Sequence, residues 1–176
     1  MEFPELRYGQ GKELEVASIS IQQVLESSSY ALRNEFFHKG QELLSLYEKI
    51  EPHLTWLVKN VCSSCSTPCC VNRHCYPEYE DLIVHKAMKV DTVITNWSGG
   101  DTDPCCFLSK EGCTLPRVSR SYRCTWYVCD RAMDVLHTLS KKRALKLERL
   151  LHELGLKRQE VLKTYEIIFK NYERRS

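Results

Sequence analysis

Ten cysteines lie between Cys62 and Cys129, and none lies outside that stretch. A thiolate sulfur is polarizable and carries charge, so it binds soft and borderline metals. Four of them complete a tetrahedral shell for zinc or bridge to the irons of a cluster. Eight of the ten have ligand-like spacing: Cys62, Cys65, Cys69 and Cys70 in CSSCSTPCC, and Cys105, Cys113, Cys124 and Cys129 in PCCFLSKEGCTLPRVSRSYRCTWYVC. Thiols so closely spaced in a cytosolic chain are more often held by metal than oxidised to each other.

Cys62 and Cys65 can bend back toward one ion, and Cys69 lies within reach of the same site. Adjacent side chains diverge, so Cys69 and Cys70 serve different centres, or one of them stands behind the ligands. In the second block Gly112 turns the chain between Cys105 and Cys113. Neither block closes a site by itself, so the two are expected to pair across space and draw the loop at 91–104 closed. Eight thiols suffice for two four-ligand sites, or for one cluster with spare thiols. Cys75, Cys106 and His74 are auxiliary candidates, although spare thiols and a surface imidazole describe them as well. Trp126 and Tyr127 could shield a cluster from water, and Arg117, Arg120 and Arg123 could donate to its sulfurs or stand solvated in a loop.

Over roughly 62–129 these residues resemble the YkgJ-like cysteine-cluster family, whose members are described as zinc- or iron-chelating proteins. The opening of that family's pattern matches Cys62, Cys65, Cys69 and Cys70 without a gap. Its later portion matches Pro104, Cys105, Phe107, Leu108, Gly112, Cys113, Arg120 and Cys124, and Cys129 matches its closing cysteine. The chain departs from the pattern at Ser121, where the family has Pro, and at Thr125, where it has Arg. The resemblance implies that the eight cysteines ligate iron or zinc. Members of the family that methylate flagellin lysines are thought to need an iron-sulfur cluster, which turns the expectation toward iron. This chain shows no Gly-rich strand-to-helix turn for a nucleotide-like cofactor, so the methylase activity does not carry over.

The elements that must position the thiols read as helices. Apolar residues recur every three or four positions at Phe36, Phe37, Leu43, Leu44, Tyr47, Ile50, Leu54, Leu57 and Val61, which predicts a helix over 30–61 that delivers Cys62 at its end. Pro52 predicts a kink or a fresh start within it. A helix over 14–25, a short one over 77–90, and a loop at 91–104 are expected. Asp130 reads as the N-cap of one long or two broken helices ending at Gly155, and a last helix carries Val161, Leu162, Tyr165, Ile168 and Phe169. The fold class is therefore mainly α, with helices flanking a loop-rich, cysteine-ligated metal-binding region. Its parts are a helical segment over 1–61, the cysteine cluster over 62–129 and C-terminal helices over 130–176, in one compact domain.

The 176 residues carry a net charge of +2. No apolar run approaches the roughly 20 residues that span a bilayer, and the acidic start at Glu2 lacks the basic and apolar regions of a secretory signal. A cytoplasmic protein that does not enter a membrane is expected. From Lys141 onward eleven Lys or Arg face five Glu. Pairs such as Arg149 with Glu153 and Glu166 with Lys170 describe a solvated helix face, which argues against nucleic acid as a partner. The function expected is a metal-binding protein holding an iron-sulfur cluster, for redox or as the metal centre of a modifying enzyme. The alternative is a structural zinc module whose helical flanks bind a protein partner. The sequence leaves open whether the chain is an enzyme and which residues would be catalytic.

Overall fold

A computed structural model of the chain describes residues 3–6, 10–66, 76–93, 103–110 and 112–175. Helix α1, Gly11–Ser27, is followed after two serines by α2, Tyr30–Asn60. The Ser29 side chain caps α2 by accepting from the Leu32 backbone N–H. A 3-10 turn at Cys62–Ser64 ends that arm. Helix α3 is Tyr79–Met88, and a small antiparallel hairpin pairs β1, Leu108–Ser109, with β2, Gly112–Cys113. A 3-10 turn at Arg117–Ser119 leads to the one-turn helix α4, Arg123–Trp126. Helices α5, Asp130–Leu139, and α6, Lys141–Glu173, complete the chain. The expected mainly α class is what the structure shows.

The core lies where α2 and α6 pack along each other, with α3 against both, α1 against α3 and α6, and α5 laid on α6. Phe36, Leu43, Tyr47, Ile50, Leu54 and Leu57 of α2 meet Leu147, Leu154, Val161, Tyr165 and Ile168 of α6 within one buried cluster. The apolar periodicity of both segments is thus spent on the core. Gly40 lets α2 and α3 touch: a Cβ there would sit 2.0 Å from the Ala87 carbonyl oxygen. Only a residue without a side chain permits that crossing.

Three boundaries differ from the sequence expectation. Helix α2 runs through Pro52 without interruption, because Ile50, Leu54 and Leu57 on either side are buried and their packing outweighs one lost backbone hydrogen bond. Asp130 is the first helical residue of α5, and Cys129 is its cap. Of the one-helix and two-helix alternatives after it the structure has two, broken at Ser140, whose side chain caps α6 by accepting from the Arg143 backbone N–H. Helix α6 also continues through Gly155, where a Cβ would stand 3.1 Å from the Tyr122 hydroxyl, so this glycine makes room for a neighbour rather than ending a helix. Residues 94–102 of the expected loop lie outside the described residues.

Candidate metal centre

The first cysteine block begins where α2 stops. The Cys65 N–H donates to the Cys62 carbonyl at 3.1 Å, closing the 3-10 turn between them. Cys65 leaves that turn in extended backbone. The intervening serines serve the end of the helix: the Ser63 hydroxyl donates to the Lys59 carbonyl at 2.7 Å and that of Ser64 to the Val61 carbonyl at 3.2 Å. Those carbonyls would otherwise lack helical donors. Cys69, Cys70, His74 and Cys75 lie outside the described residues.

The second block is folded back on itself. The Cys105 carbonyl accepts from the Leu108 N–H at 2.9 Å, and the hairpin then sets Cys113 opposite Leu108. Gly112 provides the positive φ of +111° that this turn requires. Cys105 is buried, Cys113 and Cys124 are half-buried and Cys106 is exposed. Burial pushes the Cys113 thiol up. A hydrogen bond to the Leu115 backbone and the Arg120 charge pull it down, and nearby Cys124 and Cys105 push it up again. Burial and then Cys105 also raise Cys106. These thiols therefore feel one another across the hairpin and the start of α4.

Asp81 organises the approach to Cys124. Its carboxylate accepts from the Glu78 N–H and the Tyr122 N–H, each at 3.1 Å, and from Arg158 Nη2 of α6 at 3.4 Å. The Arg158 guanidinium also lies over the Tyr122 ring, 4.5 Å from its centroid. His85 adds a second tie. The Arg120 carbonyl, 3.3 Å from Nε2, can only accept, so Nε2 carries the hydrogen and Nδ1 accepts from the Thr92 hydroxyl at 2.8 Å. Burial lowers the pKa of His85 and favours this neutral ring.

The arginines of this segment have structural partners. Arg117 pairs with Glu51 of α2, Arg120 donates to the Leu115 carbonyl at 2.7 and 2.9 Å, and Arg123 pairs with Glu78 at 2.9 Å. Trp126 is 47% exposed and packs edge to face with the half-buried Tyr127. Thr125 Oγ1, beside Cys124, is buried without a partner among the described residues.

Arg131 and Gly112 each connect the regions of the two blocks. Arg131 Nη1, in the first turn of α5, donates to Cys65 Sγ at 3.9 Å. Gly112 approaches Val58 in the last turns of α2, where a Cβ would meet the valine methyl at 3.3 Å. Among the described residues no three Cys, His, Asp or Glu side chains form a group that could hold a metal ion. The donor chemistry nonetheless fits a thiophilic metal, since the seven described cysteines are thiols and none is bridged to another of them.

Asp81, His85, Arg131 and Arg158 did not stand out as sequence features. Asp81 carried one signal: it occupies the third position of a capping box that starts at Glu78. The other three are common residues on helices, and only the folded chain brings them to the cysteine segment. Comparison with protein-family models, curated proteins and solved structures finds no match to this chain.

Proposed function

We propose that the cysteines between α2 and α5 hold an iron-sulfur cluster, for redox or as the metal centre of a modifying enzyme. The observation that supports this reading is the donor set: the seven described cysteines are thiols and none is bridged to another of them. Cys113 sits on the hairpin, where Cys124 and Cys105 push its pKa up. Burial and that repulsion keep the Cys113 thiol protonated, so a metal binding there must displace its proton. Cys62 and Cys65 at the 3-10 turn, Cys69 and Cys70 after them, and Cys129 complete the eight-thiol set with Cys105, Cys113 and Cys124. A cluster so held would supply one-electron transfer or an iron site open to substrate. The protein's own contribution is to aim the thiols, through Asp81, Arg158 and His85, and to limit water around Cys105.

A structural zinc centre is the second reading, and a different observation favours it. From 103 to 128 the buried apolar side chain is that of Cys105 alone among the described residues. The segment is tied down by polar contacts through Glu51, Asp81 and Arg158, so a metal would stand in for missing core. Iron and acid-labile sulfide analysis after anaerobic purification tests the first reading, which fails if neither is present. Zinc without sulfide, and loss of folded structure with chelator, would establish the second.

A further inference from the structure

A cleft of about 1160 Å³ is lined by residues 3–6, α1, Tyr79 of α3 and the end of α6, and no described cysteine borders it. It is large enough for a small-molecule ligand. Val16 of α1 presents an apolar side chain there that is 67% exposed, and Ala17 and Phe169 extend the apolar wall. Wet apolar surface gathered in a concavity is the mark of a ligand groove. Lys12 and Lys170 are balanced by Glu5, Glu13 and Glu173 around the same cleft, so it favours an uncharged ligand over an ion.

The Phe3 ring stacks on that of Tyr79, with centroids 5.7 Å apart and planes at 18°, and stands 6.3 Å from that of Tyr165. No backbone-to-backbone hydrogen bond holds residues 3–6 among the described residues, so the packing of Phe3 and Leu6 keeps the segment in place. Tyr165 Oη is buried without a hydrogen-bond partner. Burial first, and then Tyr79, push its pKa up, yet the two hydroxyls are not in hydrogen-bonding geometry. The Phe3 ring has no acceptor atom to offer that hydroxyl, whose desolvation goes uncompensated. We propose that the cleft binds an uncharged planar aromatic molecule carrying a carbonyl group. Its ring takes the place of Phe3 on Tyr79, and its carbonyl accepts from the Tyr165 hydroxyl. Phe3 is the internal competitor that holds the slot when the ligand is absent. This site is independent of the thiol-metal reading.

Prodan, a neutral naphthalene bearing a ketone, is the probe, because its emission moves to the blue in apolar surroundings and to the red when the ketone accepts a hydrogen bond. The full chain is titrated as wild type, Phe3→Ala, Tyr165→Phe and Val16→Glu, with urea midpoints measured alongside. Wild type should bind the probe saturably. Phe3→Ala, which removes the competitor, should bind about tenfold tighter. Tyr165→Phe should bind about fivefold weaker and emit further to the blue, with no lower urea midpoint, since its hydroxyl has no bond to lose. Val16→Glu places a charge in the cleft and should weaken binding about tenfold at an unchanged midpoint. No saturable binding by wild type and Phe3→Ala would overturn the site, as would wild-type affinity in Val16→Glu. Equal or weaker binding by Phe3→Ala would overturn the competitor. Unchanged affinity and emission, or a lowered midpoint, in Tyr165→Phe would overturn the carbonyl contact.

Discussion

Asp81 Oδ1 accepts the Tyr122 backbone N–H at 3.1 Å across 41 residues, and this bond ties the start of α3 to the segment that presents Cys124. The same oxygen takes the Arg158 guanidinium, and both ion-pair partners are buried. Arg158 Nε has no partner among the described residues, so its charge depends on Asp81 and the Tyr122 ring. Asp81→Ala is expected to destabilise the chain by about 3–5 kcal/mol, because it leaves a buried cation uncompensated. Urea unfolding of wild type, Asp81→Ala, Arg158→Met and the double variant measures this, and the double variant should recover part of the loss.

The two packed glycines should behave oppositely on substitution. At Gly40 the new Cβ meets the Ala87 backbone at 2.0 Å, and a backbone cannot rotate aside. Gly40→Ala should cost about 3 kcal/mol or more, at the upper end for overpacking. At Gly155 the nearest atom is the end of the Tyr122 side chain at 3.1 Å, which can give by a few tenths of an ångström. The roughly 1 kcal/mol gained by alanine in a helix interior should leave Gly155→Ala within about 1 kcal/mol of wild type by thermal and urea unfolding.

His85 predicts an acid-side loss of stability. Burial first, and Arg158 less strongly, lower its pKa, while Asp81 and the Arg120 carbonyl raise it. Its folded pKa is thus below the ordinary value near 6.5, so the unfolded chain binds the proton more readily. Stability is complete above the unfolded pKa and falls as pH drops through the folded one. Urea midpoints compared at pH 7 and pH 5 should fall more for wild type than for His85→Gln, whose amide does not titrate.

Metal loading should strengthen with pH for the opposite reason. The Cys113 thiol is raised by burial and by neighbouring Cys124 and Cys105, so it is protonated at neutral pH in the metal-free chain. A metal must displace that proton, and apparent affinity should rise about tenfold per pH unit for each proton released. Zinc affinity measured between pH 6 and pH 8 should show this slope, and Cys113→Ser should reduce it.

The helices were legible because periodic burial dominates them: Phe36, Tyr47, Leu54, Leu147 and Tyr165 are core by pattern and by structure. Local signals failed where distant packing outweighed them. Pro52 and Gly155 read as breaks, yet one is carried by buried neighbours and the other makes room for Tyr122. The cysteine spacing named the residues of the candidate centre, and the structure puts Cys62 and Cys65 at one 3-10 turn and Cys113 after its glycine. It could not show what ties the second block to the helices. Asp81, Arg158 and His85 do so through Tyr122 and the Arg120 carbonyl, by pairings tens of residues apart that no spacing rule reports.

The central claim is met most directly by purifying the full chain without oxygen and determining iron, zinc and acid-labile sulfide per chain, with Cys105→Ser, Cys113→Ser and Cys124→Ser treated alike. Iron and sulfide in comparable amounts in wild type, with visible absorbance that falls in each variant, is the result predicted. Wild-type protein with neither iron nor sulfide would contradict it.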